Sequence, residues 1–372
     1  MRVFNCSHCG HLVFFDSVQC LHCHSTLAFD PYTLSMRALE PAGPECAAGV
    51  LRARGSANTH ALPATPGPVR YYRLCRNHTL YQACNFAVDA NDSNPWCASC
   101  RQTRTLPNLA DPAHLQRWRK IEAAKRHLFY TLARLGLEHP DAARRPRFEF
   151  LADQPGKPAV LTGHLNGMIT LNVAEADDDE RARRRVAMGE PYRTLIGHLR
   201  HESGHFFWDS LARDGGSVEA FRQLFGDERS DYAAALQAYY ARGGPPAGWE
   251  AQHVSAYATA HPWEDWAETW AHYLHLIDLL ETAASYSASF AVPDPQSPQR
   301  FYVHDPFAAP ERPFDAMVRE WVPLTLMLNS LNRSLGQDDA YPFALSAGAM
   351  RKLQFVHDWV RSQRTAAASS PT

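Results

Sequence analysis

The chain has 372 residues, of which 45% are hydrophobic and 20% charged, and its formal net charge is −2. This length suits two or three domains, and the near-neutral charge argues against a general attraction to nucleic acid or anionic membranes. No apolar run approaches the ~18 residues of a membrane-spanning helix. The first residues also lack the apolar core of a signal peptide. We therefore expect a cytoplasmic protein, in a compartment that keeps thiols reduced.

Two CxxC pairs lie at the start of the chain, on either side of a short apolar stretch at residues 12–15. In a reducing compartment, paired CxxC motifs are more typical of a metal site than of disulfides. Four thiolates complete a zinc tetrahedron and leave no coordination position for catalysis. The pattern predicts a zinc ribbon over residues 1–40, with a structural zinc ion bound by Cys6, Cys9, Cys20 and Cys23.

A second cysteine group lies in residues 69–110, after a segment (41–68) that is rich in Ala, Pro and Gly and is interpreted as a linker. Strand-like residues at 71–73 and 85–88 are expected to bring the first two thiols towards the last two, which form a CxxC pair. Only Cys46, within the linker, has no partner at ligand spacing. We predict a second structural zinc ion, bound by Cys75, Cys84, Cys97 and Cys100.

The cysteine groups do not alternate aromatic residues with a basic stripe, so nucleic-acid binding is not favoured. A partner protein is the better candidate for binding to the zinc ribbons.

Residues 111–365 are predicted to form a mainly helical domain with a small sheet, followed by a disordered tail at 366–372. The first helix of this domain (111–137) begins with an N-cap and a first-turn proline. Further segments with helical features are 177–185, 217–225, 231–241, 313–335 and 346–364, and strand-like alternation covers 147–151 and 167–173.

The segment 192–208 is predicted to be an amphipathic helix that contains the sequence His-Glu-Ser-Gly-His. His201 and His205 are four residues apart, so both imidazoles lie on one helix face and can bind one metal ion. Glu202 points beside that ion, where a carboxylate can accept a proton from metal-activated water. The pattern therefore predicts a catalytic zinc site.

A catalytic zinc ion needs a third protein ligand, and the best source is the helical segment 262–272. Two carboxylates and two alanines share one face of this segment, and the small residues allow it to approach the first metal-binding helix closely. We assign Glu264 as the third ligand and Glu268 as the acceptor of an imidazole N–H. The alternative with the same spacing, Glu268 as the ligand and His272 behind it, remains open.

These two segments resemble the gluzincin metallopeptidases, in which Glu-x-x-x-Asp or Glu-x-x-x-Glu follows HExxH. The closer likeness is to the anthrax lethal-factor type, through HE-x-GH at 201–205, the Trp-Ala-Glu run at 266–268, and Tyr257, seven residues before Glu264. The resemblance implies that the Tyr257 hydroxyl stabilises the oxyanion. Over nearly its full length, the chain is similar to the bacterial "putative zinc-binding metallopeptidase" family with an N-terminal zinc-ribbon region.

The resemblance implies an α+β fold, in which small zinc-ribbon β modules precede a mainly helical, zincin-like domain. In zincins an edge strand above the metal commonly pairs with an extended substrate, and Met168–Asn172 is the segment expected to form it. The expected activity is hydrolysis of peptide bonds by zinc-activated water, with Glu202 as general base. One catalytic and two structural zinc ions are expected, with a peptide or protein as substrate.

The alternative function is that of an interaction module, in which the zinc ribbons bind a protein or nucleic acid and the HExxH domain is not catalytic. Metal content distinguishes the two. Three zinc ions per chain, one of them labile to mild chelation, favour the enzyme, whereas two tightly held ions favour the module.

Overall fold

The computed structural model describes residues 2–55, 70–138, 144–188, 193–214, 217–293, 297–308 and 312–369. The N-terminal part is rich in strands and the C-terminal part is mostly helical, so the expectation of a mixed α+β protein is confirmed. Among the described residues, no helix has the length and apolar character needed to cross a membrane.

The N-terminal part consists of a hairpin and a five-stranded antiparallel sheet. In the hairpin, β1 (Phe4–Asn5) pairs with β2 (Leu12–Val13). The sheet has the strand order β3-β4-β5-β6-β7. Its strands are β3 (Thr26–Asp30), β4 (Ser35–Pro41), β5 (Leu51–Ala53), β6 (Tyr71–Leu74) and β7 (Ala87–Asp89), and the short helix α1 (Arg76–Tyr81) lies between β6 and β7. A bridge between Phe29 and Phe86 brings the two edges of this sheet together.

The five-stranded sheet passes through the segment that was interpreted as a linker. β5 pairs with both β4 and β6, so the prediction of a loop over 41–68 is wrong at Leu51–Ala53. Residues 56–69 lie outside the described residues. The composition of 41–68 was misleading because pairing on both sides stabilises even a short strand that has little apolar pattern of its own. One continuous sheet therefore connects the two cysteine groups.

Helix α2 (Pro112–Arg134) joins the N-terminal part to the rest of the molecule. Asp111 caps it and accepts hydrogen bonds from the backbone N–H groups of Ala113 and His114, as its sequence predicts. Phe129 and Tyr130, near its C-terminal end, belong to the apolar core of the N-terminal part. The opposite face of α2 contributes to the larger core of the helical part.

A second sheet lies beside the helices, with the strand order β10-β11-β9-β8. Its strands are β8 (Thr103–Thr105), β9 (Arg147–Leu151), β10 (Gly163–Leu165) and β11 (Met168–Asn172). The prediction that Met168–Asn172 forms the edge strand is wrong, because β11 pairs with β9 on one side and β10 on the other. Asn166 and Gly167, both with positive φ, form the tight turn that folds β10 back onto β11. The strands at the two edges of the described sheet are β8 and β10, and β10 is the edge strand next to Met168–Asn172.

The remaining elements are mainly helices, and most agree with the sequence predictions. They are α3 (Asp178–Met188), α4 (Leu195–Asp214), α5 (Val218–Phe225), α6 (Tyr232–Ala241), α7 (Pro262–Ser285), the hairpin of β12 (Ser289–Val292) and β13 (Gln299–Tyr302), α8 (Phe314–Ser334) and α9 (Ala347–Ser369). The helix predicted from Tyr192 begins at Leu195, and Tyr192 itself lies outside the described residues. Helix α9 continues to Ser369 and so includes the first residues of the tail that is predicted to be disordered from residue 366. Residues 370–372 lie outside the described residues.

Helices α4 and α7 pack closely against each other in the larger core, at Gly204. A Cβ atom placed on Gly204 of α4 would lie 2.9 Å from the Cα atom of Ala267 and 3.1 Å from Cδ1 of Trp270, both on α7. The indole N–H groups of α7 also bind α4: Trp266 donates to the carbonyl oxygen of Gly204 at 2.8 Å, and Trp270 to Oγ of Ser203 at 3.0 Å. Both indole rings are fully buried, so the spacing of the two helices is fixed.

We predict that Gly204→Ala lowers the free energy of unfolding. Alanine is favoured over glycine within a helix by ~1 kcal/mol, but overpacking a tight core costs about 1–3 kcal/mol, and the clashing atom here belongs to the backbone of α7. Denaturant unfolding of Gly204→Ala measures the difference. Gly55→Ala, where an added Cβ meets open space, is the control, and equal stability of the two variants would contradict the prediction.

Candidate metal centres

The two cysteine groups have the geometry of structural zinc sites. Within each group, the four sulfur atoms lie within 4.8 Å of one another. The sulfur–sulfur distances between Cys6 and Cys23, Cys9 and Cys20, and Cys84 and Cys97 are all 3.7 Å. A tetrahedron with Zn–S bonds of about 2.3 Å has sulfur–sulfur edges of about 3.8 Å. These sites therefore fit a zinc ion.

The second cysteine group is completely enclosed, and its four thiols are all buried. Burial raises the pKa of Cys97 well above its ordinary value, so this thiol would remain protonated unless a cation stabilised its thiolate form. Backbone N–H groups point at the sulfurs, with Cys97 N–H donating to Cys75 and Cys100 N–H to Cys97, each at 3.4 Å. Four enclosed sulfur ligands leave no position for a substrate.

A third group combines α4 and the first turn of α7, and it brings together His201, His205 and Glu264. One ligand atom from each lies within 4.8 Å of the others, and all three residues are buried. Nε2 of His201 lies 3.1 Å from Oε2 of Glu264, and Nε2 of His205 lies 3.5 Å from Oε1 of the same carboxylate. The two helices thus converge at one point, as the sequence pattern predicts for these three side chains.

Glu268 lies one turn further along α7 and contacts the imidazole of His201 on the side away from Glu264. Its Oε1 atom lies 2.6 Å from Nδ1 of His201, and its Oε2 atom accepts a hydrogen bond from Oγ of Ser255 at 2.6 Å. A proton on Nδ1 leaves the lone pair of Nε2 directed at Glu264. A proton or a metal ion between these two atoms, which lie 3.1 Å apart, can satisfy both, and a zinc ion suits this position.

The acid–base properties of the third group agree with a positive charge at this point. Burial alone would lower the pKa of His201, but its hydrogen bonds with Glu264 and Glu268 outweigh burial and raise that pKa well above its ordinary value. Burial would raise the pKa of Glu264, but His205 and His201 lower it well below its usual range. The donor set of two imidazoles and one carboxylate suits zinc.

The alternative in which Glu268 is the ligand and His272 stands behind it is not favoured by these contacts. Both oxygens of Glu268 already bind His201 and Ser255. His272 instead binds the hydroxyl of Tyr341 through Nδ1, and burial lowers its pKa to about 4. His272 contributes to the wall of the cavity and not to the third group of ligand atoms.

Glu202 lies beside the third group, buried on α4, with its two oxygens in different surroundings. Its Oε1 atom lies 3.6 Å from Nε2 of His198. Its Oε2 atom is buried and has no hydrogen-bond partner among the described residues. One carboxylate oxygen is therefore available for proton transfer next to the candidate metal position.

Two tyrosines approach the same point, and the sequence indicated only one of them. Tyr257 lies in a short 3-10 turn, with its ring centre 6.1 Å from that of His201. Tyr232, at the start of α6, donates its hydroxyl hydrogen to Oε1 of Glu264 at 2.7 Å. Burial and the charge of Glu264 raise the pKa of both hydroxyls, so both remain donors at neutral pH. No pattern in the sequence points to Tyr232, because α6 approaches the site only through the tertiary fold.

The model of the family described as "Putative zinc-binding metallo-peptidase" matches residues 114–359. The chain belongs to this family. A zinc-ribbon domain model matches residues 3–111 and so spans both cysteine groups. Uncharacterized proteins of Mycobacterium bovis and Mycobacterium tuberculosis are each 38% identical over 364 residues, which cover 96% of this chain and 94% of the relative. No solved structure matches the chain.

The third group, His201, His205 and Glu264, borders a cavity of about 890 Å³. The edge strand β10 and the loop before it form one wall, and helix α6 contributes to another. The residues that border the cavity away from the third group include Leu161, Thr162, His164, Leu236, Tyr239, Tyr240 and Phe343. The walls therefore combine aromatic side chains with an open strand edge, directly beside the two histidines and Glu202.

We predict that Glu268→Gln weakens zinc binding at the third group without abolishing it. The amide is a poorer acceptor for the N–H of His201, and loss of such a supporting partner typically lowers metal affinity ~10–100-fold. Glu264→Gln, which removes the charged oxygen ligand, is expected to weaken binding further. Competition with a fluorescent zinc chelator measures both variants. A larger loss in Glu268→Gln than in Glu264→Gln would instead support Glu268 as the ligand.

Proposed function

We propose that this protein is a zinc-dependent peptidase of the gluzincin type, with His201, His205 and Glu264 as ligands of a catalytic zinc ion. The observation that carries the proposal is the convergence of two imidazoles and a distant carboxylate on the floor of a large cavity. A structural zinc site would be closed, as the cysteine groups are, whereas three protein ligands beside a cavity leave room for water and substrate.

The residues of the site supply the proton transfers of peptide hydrolysis. When bound, zinc acts as a Lewis acid that lowers the pKa of water and polarises the scissile carbonyl. Glu202 accepts the proton of the attacking water and then donates it to the leaving amine. Its Oε2 atom, which has no hydrogen-bond partner among the described residues, is the oxygen suited to this task.

Tyr257 is assigned to the oxyanion that forms on the carbonyl. Phenol donors stabilise this charge more strongly in a water-excluded site than in solution. Tyr257, the residue implied by the lethal-factor resemblance, borders the cavity beside His201. Tyr232 is assigned to the orientation of Glu264 instead, because its one hydroxyl hydrogen is donated to Oε1 of that carboxylate at 2.7 Å.

We further propose that the substrate is an extended peptide that adds a strand to β10. This strand has a partner only on its β11 side within the described sheet, so its other edge offers backbone N–H and C=O groups. Gly163 and His164 of β10 border the cavity. Main-chain hydrogen bonds would then give affinity, and the cavity would select side chains.

The two cysteine groups are assigned structural zinc ions that stabilise the N-terminal part. Their eight thiols lie at ligand distances and are free of disulfides, which suits a reducing compartment such as the cytoplasm. A partner protein at the ribbons remains part of the proposal.

The first test is the variant Glu202→Gln. It is expected to retain zinc at the third group and to lose cleavage of a peptide library by ~10²–10⁴-fold, the usual contribution of a general base. Mass spectrometry of the digest and zinc analysis of the same sample provide the measurement. Glu219→Gln, which changes an exposed acid on α5, is the matched control. Cleavage that persists in Glu202→Gln would refute the role of this residue.

The second test is the zinc content of the purified chain. We expect three zinc ions per chain, of which mild chelation removes one and abolishes activity, because an open site exchanges ligands faster than an enclosed one. Cys97→Ser is expected to lose one ion together with stability. Two tightly held ions and no cleavage would favour the interaction module instead of the enzyme.

A further inference from the structure

His198 is a partly buried partner of Glu202 that the reaction described so far does not use. It lies one helical turn before Glu202 on α4, and its ring connects two carboxylates. Nδ1 lies 2.6 Å from Oε2 of Glu175, and Nε2 lies 3.6 Å from Oε1 of Glu202. His198 also borders the cavity. The three side chains thus form a row that ends at the proposed general base.

Glu175 is held firmly as a carboxylate at the other end of this row. It lies in the 3-10 turn that follows β11 and is 1% exposed. Thr162 donates its hydroxyl hydrogen to Oε1 at 2.6 Å, and the guanidinium groups of Arg184 and Arg193 lie 3.2 Å and 3.4 Å from its oxygens. Burial would raise the pKa of Glu175, but His198 and these partners outweigh it and lower that pKa to about 2.

Both nitrogens of His198 face carboxylate oxygens, which accept but do not donate hydrogen bonds when ionised. A neutral imidazole carries one proton and would direct a lone pair at one of the two carboxylates. The imidazolium form satisfies both contacts and places a positive charge between two negative ones. The 2.6 Å contact between Nδ1 and Glu175 fixes the ring, so that Nε2 faces Oε1 of Glu202.

We propose that His198, anchored by Glu175, is a positioning residue that holds Oε1 of Glu202 and so directs Oε2 towards the attacking water. This inference rests on the proposed peptidase function for its kinetic consequence, but the pairing itself is a property of the folded protein. The contact to Oε1 restricts rotation of the Glu202 carboxylate, and precise orientation of a general base is worth a large part of its effect.

The pairing is tested by NMR of the zinc-loaded chain with ¹⁵N-labelled histidine rings. His198 is assigned by comparison with His198→Gln, and the resonances of its two ring nitrogens report the surroundings of each nitrogen separately. In Glu202→Gln, which keeps the shape of the side chain but removes its charge, the Nε2 resonance should move more than the Nδ1 resonance, because Nε2 faces Glu202 and Nδ1 faces Glu175. Ring nitrogens insensitive to Glu202→Gln would overturn the proposal.

The kinetic test compares two replacements of His198. His198→Phe removes both contacts and is expected to lower kcat by ~10-fold or more, a fraction of the ~10²–10⁴-fold contributed by the base itself, with KM and zinc content unchanged. His198→Gln, whose amide can still donate to Glu202, is expected to recover part of kcat. A fall in kcat that only accompanies zinc loss, or an unchanged kcat in His198→Phe, would contradict the positioning role.

The matched control is His127→Phe, because His127 also binds a carboxylate, Oδ2 of Asp16 at 2.8 Å, in the N-terminal part of the structure. It should leave kcat unchanged. If the unchanged protein cleaves no peptide, the proposed function fails, while the NMR comparison still decides whether His198 and Glu202 are paired.

Discussion

The close contact between α4 and α7 is the constraint on which the candidate active site depends. Each helix alone carries an incomplete set of ligands, and only their approach at Gly204 and Ala267 brings Glu264 to the two histidines. The indole hydrogen bonds from Trp266 and Trp270 to α4 fix the rotation of one helix against the other. A shift of even 1 Å at this contact would separate the ligand atoms, and such misplacement is costly in catalysis.

A second set of buried polar contacts ties this helix pair to α2. Asp278 of α7 accepts hydrogen bonds from the hydroxyl of Thr131 on α2 at 2.8 Å and 2.9 Å, and from the guanidinium of Arg200 on α4. One carboxylate of α7 thus contacts two other helices, and Arg200 directly precedes the candidate ligand His201. Buried polar contacts of this kind help to specify one arrangement of helices.

The sequence predicted those parts of the site that depend on spacing within one helix. His201, Glu202 and His205, and likewise Glu264 and Glu268, have positions on a helix face that follow from the helical period. Tyr232 and Glu175 could not be predicted, because each comes from a segment that only the tertiary fold brings to α4 or α7. His198 lies on α4 itself, but its pairing with Glu175 depends on the same tertiary fold. The edge-strand prediction is wrong because the Asn-Gly turn after Leu165 pairs β10 with β11.

The start of the chain is bound to the far end of the helix that carries Glu264. The backbone N–H groups of Arg2 and Val3 donate to Glu281 and Ser285 of α7, at 3.2 Å and 3.1 Å, and Tyr130 of α2 also donates to Glu281. At 1.5 Å per residue, this junction lies about 25 Å along the helix axis from Glu264. Any influence of a protein docked at the N-terminal junction would therefore reach the candidate ligands from a distance, along α7 and through the contacts of α2 and α4 with Asp278.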